Sequence, residues 1–120
     1  MAHGGFLRQH SGDPALASHV MHDYRKANLD PLTRGMLDFA VKLTREPASM
    51  QKADVDALRS LGLDDEQVLS VVLISCLFNF MTRLADGLGV EVDPGRQEAA
   101  ERWLTGPVLQ QDWLMKAGSS

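Results

Sequence analysis

Asp64-Asp65-Glu66-Gln67-Val68-Leu69-Ser70-Val71-Val72-Leu73-Ile74-Ser75-Cys76-Leu77-Phe78-Asn79-Phe80-Met81-Thr82-Arg83-Leu84-Ala85-Asp86-Gly87-Leu88 is the stretch that decides the fold. Asp64 supplies a helix N-cap, and Gln67 three residues later supplies the return bond of a capping box. From there to about Leu88 the apolar residues recur at helical spacing. They leave one polar stripe, Ser75, Asn79, Thr82 or Arg83, and Asp86, spaced by three and four residues. A helix apolar round most of its circumference has to be covered on most sides. It is therefore the central helix of its domain or, in part, a subunit interface.

The chain on the N-terminal side of this helix is helical as well. Residues 1–10 read as the tail of a helix, and Ser11-Gly12 stops it. Asp13-Pro14 then sets an N-cap before a proline at the first helical position. Leu16, Val20, Met21 and Tyr24 share one face of the helix that follows, which runs to about Asn28. Asp30-Pro31 repeats the start signal. The next helix turns Leu32, Met36, Leu37, Phe39, Ala40 and Leu43 inward and is closed by Pro47. A short helix from about Lys52 presents Val55, Leu58 and Leu61 and stops at Gly62, a left-handed C-terminal glycine. Strand-like alternation is confined to Gly89-Val90-Glu91-Val92. Beyond Asp93-Pro94-Gly95, two amphipathic helices are expected over Arg96–Leu104 and Val108–Lys116, anchored by Trp103 and Trp113. The expectation is an all-α fold, with a helical core over 1–93 and a C-terminal tail over 94–120.

Composition narrows the function. The 120 residues fit one domain and are enough to bury a core without metals or disulfides. Net charge is −4 and the sequence pI about 5.4, which argues against a nucleic-acid partner. The N-terminus lacks a basic, then apolar, signal pattern. The run Val68–Met81 is interrupted by Ser70, Ser75 and Asn79 and falls short of the ~20 apolar residues of a membrane span. No membrane association is expected, and a reducing, cytoplasmic location suits a single unpaired cysteine. One thiol also excludes an intramolecular disulfide, a Cys-x-x-Cys redox pair and a multi-cysteine zinc site.

Few residues offer chemistry. His19 and His22 share a helix face, as do His3 and His10. No carboxylate completes a ligand pattern with them, so no metal site and no cofactor are assigned. Cys76, among Ile74, Leu77 and Phe78, is expected to be a buried, inert thiol in mid-helix. Asn79, Arg83 and Asp86 admit two interpretations. They form a hydrogen-bonded seam with an Arg83–Asp86 ion pair, or they are the polar wall of a pocket or subunit groove. The run Asp54, Asp56, Asp64, Asp65 and Glu66 is expected to be a solvated surface.

An ordered string across residues 23–91 carries a family resemblance. It comprises Asp23-Tyr24-Arg25, Leu29-Asp30-Pro31, Met36-Leu37-Asp38-Phe39-Ala40-Val41-Lys42-Leu43-Thr44-Arg45, Asp54-Val55-Asp56-Ala57-Leu58-Arg59, Phe78-Asn79-Phe80-Met81, Arg83-Leu84-Ala85-Asp86 and Leu88-Gly89-Val90. It resembles the peroxidase-related branch of the alkylhydroperoxidase D-like (AhpD-like, carboxymuconolactone decarboxylase) superfamily. The resemblance implies an AhpD-like helical bundle assembled into a homo-oligomer. It also implies an antioxidant oxidoreductase that reduces hydroperoxides through Cys-x-x-Cys-x-x-x-His, with electrons from a thiol donor. Ala2-His3-Gly4-Gly5-Phe6-Leu7-Arg8 looks like the end of that motif, with His3 in the proton-relay position. The second cysteine would then fall two positions upstream of Met1, and the first three further back. The expectation is a chain that lacks the cysteine pair and is inactive alone; the alternative is a non-catalytic helical oligomerisation or binding module.

Overall fold

The structure, a computed structural model, describes residues 2–13, 15–91 and 93–102. They form six helices: α1 (Ala2–His10), α2 (Leu16–Asp23), α3 (Pro31–Arg45), α4 (Lys52–Ser60), α5 (Asp65–Leu88) and α6 (Pro94–Glu101). Short 3-10 turns follow α2 (Tyr24–Lys26) and α3 (Pro47–Ser49), and no strand occurs among the described residues. The all-α expectation holds. Two compact units result, one of residues 29–90 and the other from the two ends, 1–28 and 91 onward. These breaks fall at 28 and 90, where the sequence suggests a core–tail junction at 93. Trp103, Trp113 and the helix expected over Val108–Lys116 lie outside the described residues.

In the 29–90 unit, each helix starts and stops where its sequence provides a cap. The Asp30 carboxylate accepts from the Thr33 backbone N–H at 2.9 Å and from the Thr33 hydroxyl at 2.6 Å, and Pro31 occupies the first turn of α3. At α5, Asp64 accepts from the Gln67 backbone N–H at 2.8 Å, and Gln67 Oε1 accepts from the Asp64 N–H at 3.0 Å. This is the reciprocal capping box the spacing predicts. Gly62 (φ +103°) ends α4 and Gly89 (φ +64°) ends α5, both in the left-handed region that only glycine enters without a steric penalty.

Phe39 of α3, Leu58 of α4, Leu63 of the α4–α5 turn and Val68 of α5 form the buried core of this unit, flanked by Met36, Leu43, Val55, Val71 and Val72. Phe39 meets the first turns of α5, and Thr44, further along α3, reaches Asn79, so α3 and α5 run in the same direction with α4 returning between them. A second tie is ionic. Lys42 Nζ donates to both oxygens of Asp54, at 2.7 and 2.9 Å, and joins α3 to the start of α4. Asp56, Arg59, Lys52 and Asp65 pair with one another across α4 and the α5 start. The acidic run is thus largely a set of ion-pair and cap partners rather than simply a solvated face.

Several expectations need correction. The helix expected from Pro14 begins at Leu16, with the Asp13 carboxylate accepting from the Ala15 N–H at 2.8 Å, and it gives way to a 3-10 turn at Tyr24. Leu32 and Leu61, expected inside, are more than a third exposed, because each sits beyond the end of the Phe39–Leu58 contact. Cys76, expected to be buried, is exposed. The reason is that α3 and α4 cover α5 on one face only, that of Val68, Val71, Val72 and Ser75, and Cys76 lies off that face. Counted as one 24-residue helix rather than as the Val68–Met81 run, α5 is long and apolar enough to cross a membrane by length and composition alone.

Two outcomes follow. Leu58, 1% exposed, is the most enclosed large side chain among the described residues. Leu58→Ala is expected to destabilise the chain by about 2–5 kcal/mol, read as a lower urea midpoint. Asp54 is held below the ordinary carboxylate value of 3.8 by the Lys42 ammonium bond and then by the Gln51 backbone N–H. Its stabilising contribution is complete above the ordinary value and is lost as the pH falls through the lowered one. Acid titration of Asp54→Asn should therefore show a shallower loss of stability below about pH 4 than the parent chain.

Candidate functional site

A groove of about 550 Å³ opens along α3 and α5 in the 29–90 unit. Ala40, Ile74 and Phe78 give it an apolar wall, and Thr44, Asn79, Arg83 and Asp86 a polar one. The helical period explains the division. Ser75, Asn79, Thr82, Arg83 and Asp86 recur every three or four residues and so follow α5 as one stripe on the side facing α3.

The stripe is internally bonded. Asn79 Nδ2 donates to the Ser75 carbonyl and to Thr44 Oγ1, both at 2.9 Å. Thr44 Oγ1 donates in turn to the Ala40 carbonyl at 2.7 Å. Arg83 Nη1 donates to Asn79 Oδ1 at 3.1 Å and, more weakly, to the Asn79 carbonyl at 3.4 Å. Both amide groups of Asn79 are thereby used, and its side chain is fixed in one orientation. The hydrogen-bonded seam and the groove wall are the same residues. The expected Arg83–Asp86 ion pair is replaced by the Arg83–Asn79 contact. Helical side chains lean toward the N-terminus, so the long arginine covers the turn before it rather than the one after.

Thr44 was not singled out by sequence reasoning, although it clamps Asn79 from the neighbouring helix. Its signal is weak: a small hydroxyl in the last turn of α3, within bonding reach of its own i−4 carbonyl. His3 lies exposed on α1, outside the 29–90 unit. His10 Nδ1 lies 2.9 Å from the Phe6 carbonyl, and its ring stacks on Phe6 with centroids 4.0 Å apart. Among the described residues, no three His, Cys, Asp or Glu side chains converge on a point that could hold a metal ion.

Neither a protein-family model nor a curated protein matches the chain. Solved structures do. An uncharacterized peroxidase-related protein from Silicibacter sp. TM1040 superposes with a TM-score of 0.73 at 38% identity, over 78% of this chain and 49% of its own. A second, described as an alkylhydroperoxidase AhpD core and an uncharacterized peroxidase-related protein, comes from Ralstonia eutropha JMP134. It superposes with a TM-score of 0.70 at 34% identity, over 78% of this chain and 50% of its own. The chain spans about half the length of these relatives. Identity at that level on a shared helical arrangement gives this chain an AhpD-like fold, similar to that of these peroxidase-related proteins.

Proposed function

We propose that the chain is the helical framework of a peroxidase-related redox protein and does not itself turn over hydroperoxide. The observation that carries this is its thiol inventory set against an AhpD-like fold. Reduction of ROOH by a cysteine pair proceeds by thiolate attack on the peroxide oxygen, which releases ROH and leaves a sulfenic acid. The second thiol then displaces water to form a disulfide. The balance needs two neighbouring thiols and a dithiol donor to regenerate them. These 120 residues hold one thiol, Cys76, in the middle of α5, away from any helix N-terminus. In this proposal His3 keeps the proton-relay position, the thiol pair is supplied from outside the 120 residues, and a thiol donor in a reducing, cytoplasmic setting provides electrons.

The test is hydroperoxide consumption with dithiothreitol as donor. The chain and its Cys76→Ser variant should both match the protein-free rate. Thiol-dependent turnover above that rate, lost in His3→Ala, would show that the chain is a peroxidase in its own right.

A second role, binding without catalysis, is favoured by the groove itself. One wall is apolar, the other is polar, and the Arg83 guanidinium bonds to Asn79 through Nη1. That pattern suits an amphipathic carboxylate with its apolar body against Phe78 and its head on Arg83. Titration with 4-phenylbutyrate should shift the Asn79 side-chain amide resonances, and Arg83→Gln should weaken binding about tenfold. Unmoved resonances at millimolar ligand would remove this role.

A further inference from the structure

We draw no further inference here: the strongest candidate, the open apolar face of α5 between Leu69 and Leu88, carries none, because nothing in the structure shows what covers it in a chain that spans about half the length of the solved structures it matches.

Discussion

The contact of Val68 with Phe39, Leu58 and Leu63 fixes everything else in the 29–90 unit. It sets which face of α5 is inside, and a helix has only one rotation to choose. Once Val68 points at α3, Val71, Val72 and Ser75 follow it inward at three- and four-residue steps. The same rotation carries Asn79 to Thr44 and puts Leu69, Leu73 and Leu77 on the far side. The burial of four apolar side chains, worth about 1.5–3 kcal/mol each, therefore determines both the polar groove and the exposed apolar face.

The polar seam extends that logic where the apolar contact ends. α3 stops at Arg45, while α5 runs on to Leu88 in the same direction. Beyond the level of Thr44 there is no helix of this unit for α5 to pack on through large apolar side chains. Asn79 makes the last bond across, and Arg83 then folds back onto Asn79. A polar group at that edge satisfies its bonds locally and leaves open space beside it, and that space is the groove.

Caps and periods were the legible part of the sequence. Asp30-Pro31, Asp64 with Gln67, Gly62 and Gly89 are local signals, each satisfied by residues within a turn, so the ends of α3, α4 and α5 could be read directly. Partners distant in the chain were not legible. The burial of Cys76 depends on how many neighbours α5 has within one chain, and periodicity reports only that the helix is apolar all round. The direction of Arg83 depends on side-chain lean, and the choice of Thr44 as the clamp on Asn79 depends on the relative advance of two helices. Neither of these is encoded in spacing along a single segment. The AhpD-like fold was nevertheless readable, because an ordered string of short runs constrains many helix positions together, and the solved structures superpose on the chain at 34–38% identity.

Apolar content and apolar placement carry different information in this chain. A helix that is apolar round most of its circumference is compatible with a central core position, a bilayer or a subunit contact, and composition does not separate the three. Placement does. Packing on α3 and α4 claims one face of α5 and ties it to ion-paired neighbours, which excludes a core helix surrounded within its own unit and disfavours insertion in lipid. The remaining face, which includes Leu69, Leu73, Leu77, Leu84 and Leu88, is left open by the packing of the 29–90 unit.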